Sequence, residues 1–157
     1  MINIERLHPE DTHTIVVWHR GKDEDFLRQW AGMGYYWPLA EALIYRRLVA
    51  GAEIFGAYRD GKFVGTIEII ERDPQNDSVL IGRYLVDPAL TGKGLGTEIM
   101  NTFLDYCRDT VGAAEARLFV FDFNEGAHRC YLKCGFEETE RVQRPNGWIA
   151  IGMKKTL

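Results

Sequence analysis

The chain has 157 residues, 46% apolar and 27% charged, with a net charge of −4 at neutral pH. That length suits one domain, residues 1–157, burying roughly two-thirds of the surface its unfolded chain exposes, and the composition excludes a disordered or fibrous protein. The acidic balance argues against a nucleic-acid partner, which calls for a basic face, and the absence of 18 consecutive apolar residues or of a basic-then-apolar leader argues against a membrane span or export.

Ile2 to Leu7 alternates as an opening strand, and Pro9-Glu10-Asp11 has the proline and acids of a helix's first turn. The spacing predicts a short helix over Asp23–Ala31 and another that opens at Pro38, carries Leu39, Ala42 and Leu43 on one face and stops at Gly51. Glu53–Arg59 and Lys62–Glu71 flank Asp60-Gly61, a hairpin signal because a type I′ turn needs two positive φ angles. Asp73 to Asp77 is a loop, and Ser78–Val86 reads as a central strand interrupted by Gly82-Arg83. Between Gly94 and Val111, residues Met100, Phe103, Leu104, Cys107 and Val111 recur at helical spacing. Ala116–Phe123 is a strand ending near Asp122, Asn124–Lys133 a helix with Gly135 just past its end, and Glu138–Arg144 and Trp148–Lys154 a hairpin. These elements make a mixed α/β sheet of about seven strands with helices on its faces.

The segment Val86-Asp87-Pro88-Ala89-Leu90-Thr91-Gly92-Lys93-Gly94-Leu95-Gly96-Thr97 joins a strand to a helix through three alternate glycines. Main-chain N–H groups converge in such a turn, and a phosphate is their natural occupant. A nucleoside-triphosphate loop would read G-x-x-x-x-G-K-S/T, but here Lys93 directly follows the first glycine. A dinucleotide fingerprint, G-x-G-x-x-G, finds Thr97 or Ile99 where its third glycine belongs. A tight turn with no ligand stays open at this point.

Further on, Asn124 to Phe136 reads N-x-x-A-x-x-x-Y-x-x-x-G-F. Together with V-D-P-x-x-x-G-K-G-L-G, this resembles the GNAT family of acyl-CoA-dependent N-acetyltransferases, and the element order agrees along essentially the whole chain. The resemblance implies a mixed, mostly antiparallel sheet with a splayed parallel pair of strands, and acetyl-CoA as cosubstrate in that cleft. Tyr84, Leu85 and Val86 would then hold the pantetheine arm by backbone groups. Gly92, Lys93, Gly94, Leu95, Gly96 and Thr97 would cap the pyrophosphate, with Asn124 contributing. Thr91 departs from the family's usual Arg or Gln.

Tyr131 matches the family's general acid, although a tyrosine sharing a helix face with Ala127 and Cys134 also reads as core. An amine acceptor is mostly protonated at neutral pH and needs a base. Asp122 and Glu68 are the candidates, each lying either on a solvated face or in a cleft. The acceptor itself, a small-molecule or peptide amine, is expected at Trp30, Tyr35, Tyr36 and Trp37, beside Trp18 and the acids Asp23, Glu24 and Asp25. An aromatic core with a solvated acidic turn explains those residues equally well.

Cys130 and Cys134 lie one helical turn apart with only His128 near, a poor metal set, so no metal is expected and the thiols read as reduced and cytoplasmic. A covalent route through Cys130 lacks an activating base in the sequence. An idle acyl-CoA sensor is the alternative to an enzyme, and the family makes a homodimer an expectation.

Overall fold

The computed structural model describes all residues from Met1 to Leu157. Its seven strands are β1 Ile2–Arg6, β2 Glu53–Arg59, β3 Lys62–Asp73, β4 Ser78–Val86, β5 Glu115–Phe121, β6 Glu137–Gln143 and β7 Ile149–Thr156. Its five helices are α1 Thr12–Val17, α2 Glu24–Ala31, α3 Glu41–Val49, α4 Leu95–Tyr106 and α5 Glu125–Lys133. The strand order is β1-β2-β3-β4-β5-β7-β6. None of the helices is long and apolar enough to cross a membrane.

The chain divides into two compact units, Met1–Ile70 with Gly82–Leu95, and Glu71–Ile81 with Gly96–Leu157. In the first, β1, β2 and β3 run antiparallel, and Asp60 (φ 52°) and Gly61 (φ 80°) make the expected tight turn. The core here joins Leu7, Ile15, Trp18, Leu27, Ile44, Ile54 and Phe63, so the helices between β1 and β2 are held by burial of their apolar stripes.

Helix α3 starts at Glu41, three residues later than Pro38. Ala40 is still extended (φ −108°, ψ 137°), and the stretch before it stays out of the helix while burying Tyr35 and Leu39. The face α3 buries is consequently that of Ile44, not of Ala42. Tertiary burial has overridden the proline signal.

In the second unit, β5, β7 and β6 are antiparallel, and the first residues of β4 pair with β5 in parallel, from Ser78↔Glu115 to Leu80↔Arg117. Ser78 ties this pair: its Oγ donates to Glu115 Oε1 (3.0 Å) and accepts from Arg117 Nε (3.1 Å). Strand β5 ends at Phe121, two residues short of the sequence expectation. The ladder to β7 stops at Phe121↔Ala150, after which the Asp122 N–H donates to Ile149 O and the Asn124 N–H to Phe121 O. Asp122 therefore lies in a turn, not in a strand. β6 is exposed along nearly its whole length and carries Glu137, Glu138, Glu140 and Arg141.

Candidate active site

The connection from β4 to α4 starts with Asp87, whose Oδ1 accepts from Ala89 N (3.0 Å) and so caps a 3-10 turn over Pro88–Leu90. The Thr91 hydroxyl donates to Pro88 O (3.2 Å), so the residue that departs from the family pattern braces this turn. Gly92 (φ 82°) and Gly94 (φ 81°) are both left-handed and flank Lys93. A Cβ on either would meet nothing within 4 Å, so the backbone conformation, not crowding, calls for glycine. Residues 91–94 are exposed, and α4 follows for 12 residues from the buried Leu95. The N-terminus of α4 and the positive end of its dipole lie next to an open, positive-φ loop, which is the chemistry of an anion site.

In the second unit, Asn124 caps α5, its Oδ1 accepting from Ala127 N (3.3 Å). Two turns on, Tyr131 is buried at 7% exposure with its ring against Phe136. Burial pushes its phenol well above the ordinary value, so it stays protonated throughout the neutral range. Beside it, Cys130 Sγ accepts from Thr97 Oγ1 (3.5 Å), and Cys134 Sγ donates to Thr97 O (3.9 Å). The neighbouring Cys134 sulfur, the Thr97 hydroxyl and the Lys133 charge lower the Cys130 thiol below its ordinary value against the opposing effect of burial, while Cys134 is held above its own. Thr97 is 33 residues from Cys130 along the chain, and only the fold brings the two together.

Asp122 is exposed. On either side of it, Phe121 and Phe123 stack at 5.7 Å, and Trp148 meets both edge-on at 4.9 Å. Sequence reasoning passed over this aromatic cluster, although the alternation of Phe119, Phe121 and Phe123 is a visible signal.

In the first unit, Glu68 is not on a solvated face: it is 3% exposed and bound by two guanidiniums. Arg47 holds it with a fork, Nη1 to Oε1 (2.6 Å) and Nη2 to Oε2 (2.7 Å), and Arg83 Nη1 reaches Oε2 at 2.7 Å. Arg47 Nη1 also donates to the Tyr35 hydroxyl (2.9 Å). Burial raises the Tyr35 pKa, against the lowering influence of Arg47, so the phenol is neutral here. Of the aromatic residues expected to meet an acceptor, Tyr36 and Trp37 are exposed, Trp30 is half-buried and Tyr35 is buried. Trp18 belongs to the core, stacked on Phe63 at 4.9 Å, and Asp23 caps α2 by accepting from Phe26 N.

The family model for the acetyltransferase (GNAT) family matches residues 8–136. The chain belongs to this family. An uncharacterized N-acetyltransferase of Methanocaldococcus jannaschii is 35% identical over 71 residues, 45% of this chain and 30% of that protein. The spermine/spermidine N(1)-acetyltransferase of Bacillus subtilis is 24% identical over 103 residues, 66% of this chain and 60% of its own length. The chain thus spans less than two-thirds of either curated relative. Among solved structures, the spermidine N-acetyltransferase of Vibrio cholerae in complex with CoA and spermine superposes with a TM-score of 0.80 at 17% identity, covering 99% of this chain and 95% of that one. That likeness extends to the fold.

The residues that the GNAT resemblance picks out fall into both units. Tyr84, Leu85, Val86, Gly92, Lys93, Gly94 and Leu95 lie in the first, with Glu68, Trp30, Tyr35, Tyr36 and Trp37. Gly96, Thr97, Asp122, Asn124 and Tyr131 lie in the second, where the Thr97–Cys130 bond joins the first turn of α4 to the helix that carries Tyr131. The glycine loop itself crosses from one unit to the other along the chain at Leu95-Gly96.

Proposed function

We propose that this chain transfers an acetyl group from acetyl-CoA to a primary amine by direct attack within a ternary complex. The observation that carries this reading is the exposed loop at Gly92–Gly94, where two left-handed glycines precede the N-terminus of α4. Bound acetyl-CoA supplies an activated acyl thioester. The backbone N–H groups of Gly92 to Thr97 receive its pyrophosphate, with Lys93 as a point charge and Asn124 at the mouth of α5. Leu85 and Val86 offer main-chain groups to the pantetheine arm as an added strand would, and Tyr84 flanks them. The Tyr131 hydroxyl donates a proton to the departing thiolate, a role for which a phenol that stays protonated is suited.

For the base, geometry favours Asp122. Both Glu68 oxygens are directed at guanidiniums, whereas Asp122 stands exposed in its turn. The amine would approach over Tyr36 and Trp37, with Trp30 and Tyr35 behind them, and small amines are the acceptor class, as the names of the relatives suggest. Reduced thiols fit a cytoplasmic enzyme.

A second reading is favoured by the hydrogen bond that Cys130 Sγ accepts from Thr97 and by its lowered pKa: its sulfur attacks the thioester carbonyl, the CoA thiolate leaves, and the amine then takes the acetyl group and releases Cys130. One experiment separates the two. Thiol release from acetyl-CoA is followed with a panel of amines for the wild type, Tyr131→Phe, Asp122→Asn and Cys130→Ser. Direct attack predicts a fall in kcat of about 100-fold for the first two variants and near wild-type turnover for Cys130→Ser. Asp122→Asn should recover at high pH as the amine deprotonates unaided. An acetyl adduct on Cys130 by intact mass, with Cys130→Ser inactive, would overturn direct attack. Saturable acetyl-CoA binding with no turnover on any amine would instead identify a sensor.

A further inference from the structure

Between the end of α2 and Tyr35 the chain reads Gly32-Met33-Gly34, with both glycines at positive φ (63° and 109°) and Met33 77% exposed. Such a segment has little of its own to hold it. Arg28 Nη1 reaches the Met33 sulfur at 3.7 Å, and two further arginines fix the segment's backbone and Tyr35 from outside. Arg83 in β4 donates Nε to Ala31 O (3.0 Å) and Nη2 to Met33 O (2.9 Å), one carbonyl on each side of Gly32. Its third donor goes to Glu68 Oε2, and Glu68 in turn binds Arg47, which donates to the Tyr35 hydroxyl. The segment is therefore pinned at Ala31 and Met33 by one arginine and at Tyr35 by the other, and both converge on one buried carboxylate.

The backbone of Arg83 supports the same conclusion. It sits within a strand at φ 47°, a conformation that L side chains rarely adopt. The preceding Gly82 lets β3 come close, since a Cβ there would lie 2.8 Å from Ile70 Cδ1. A non-glycine residue in the left-handed region persists where its surroundings over-determine it. Here the three bonds of a planar guanidinium do so, and a flexible ammonium could not reproduce that fork.

We infer that Arg83 is a positioning residue for the amine acceptor: through Ala31, Met33 and Glu68 it sets the segment that presents Tyr36 and Trp37. Glu68 is the hub of this network. The inference rests on the proposed acetyl transfer for its functional half, and its anchoring half can be read without turnover.

The test compares the wild type, Arg83→Gly and Arg83→Lys. Glycine at this position keeps the left-handed backbone without strain and removes only the side chain; lysine keeps a positive charge and loses the fork. Hydrogen exchange read by mass spectrometry should accelerate at least tenfold over residues 32–37 in Arg83→Gly, with β2 and β3 unchanged, and ethylguanidine added at millimolar concentration should restore protection. With spermidine and an alanyl peptide as probe amines, the acceptor KM should rise at least tenfold while the acetyl-CoA KM stays within twofold. Arg83→Lys should resemble Arg83→Gly in both respects. Unchanged exchange at 32–37, or an acetyl-CoA KM that rises as much as the acceptor KM, would overturn the inference. If neither probe amine is turned over by the wild type, the exchange data still decide the anchoring, and the lack of turnover counts against the proposed function alone.

Discussion

Glu68 illustrates how a residue's neighbours decide its chemistry. In the sequence it is one acid in the apolar strand Thr66-Ile67-Glu68-Ile69-Ile70, a pattern that fits a catalytic base as well as a solvated carboxylate. In the fold it is a buried anion between Arg47 and Arg83, whose side chains are 25% and 18% exposed. Removing its charge strands two largely buried guanidiniums. Glu68→Gln is therefore expected to lower stability by about 3 kcal/mol, roughly 6–12 °C in Tm for a chain of this size. Thermal unfolding at neutral pH checks it, and a change of under a degree would mean that solvent already screens the network. Tyr131 went the other way: its burial was legible as a core position and its motif as a catalytic one, and the buried, protonated phenol is compatible with both.

At the scale of elements, α1 and α2 are joined through His19. Its Nδ1–H donates to Ile15 O (2.7 Å), and its Nε2 accepts from Trp30 Nε1 (2.9 Å), an arrangement open only to the neutral ring. Burial lowers the pKa of His19 from 6.5, opposed by the bond to Ile15. The unfolded chain consequently takes up this proton first as the pH falls. Stability from this site is complete above the unfolded value of 6.5 and is lost as the pH drops from there through the folded value. Tm measured from about pH 7.5 down to about pH 5 should decline, and the decline should be shallower in His19→Gln, which can still accept from Trp30 without titrating. Equal slopes would place the acid sensitivity elsewhere. The sequence places a helix over Asp23–Ala31 and the structure has α2 there, capped by Asp23, whereas α3 starts later than expected. Local signals mark a cap, but the burial of Tyr35 and Leu39, which keeps residues 38–40 out of α3, is a tertiary demand that no window of sequence contains.

At the scale of the whole molecule, the order of strands and helices followed from periodicity and turn residues, and the glycine loop followed from spacing alone. What the sequence withheld were the long-range pairings: Thr97 with Cys130, Arg83 with Ala31 and Met33, and the aromatic group of Phe121, Phe123 and Trp148. Each joins residues far apart in the chain, and side-chain chemistry alone does not reveal which distant partner the fold selects. The proposed role of the loop as a coenzyme A site, as opposed to a general nucleotide site, is testable on the full molecule. Acetyl-CoA at about a hundred times its Kd should stabilise the protein by about 2.7 kcal/mol, roughly 5–10 °C in Tm. ATP, which shares the adenine and the phosphates but lacks the pantetheine arm, should give less at the same concentration. A larger shift with ATP would reassign the loop.

The strand order leaves β1 at one end and β6 at the other, and each has an unpaired row of backbone donors and acceptors. β1 offers only five residues, and β6 lines its exposed row with three glutamates and an arginine. A second copy adding itself to β6 in register would have to bring like carboxylates together, which opposes stacking into a continuous ribbon. The charge on this hairpin strand therefore disfavours self-templated aggregation, whatever chemistry the chain performs.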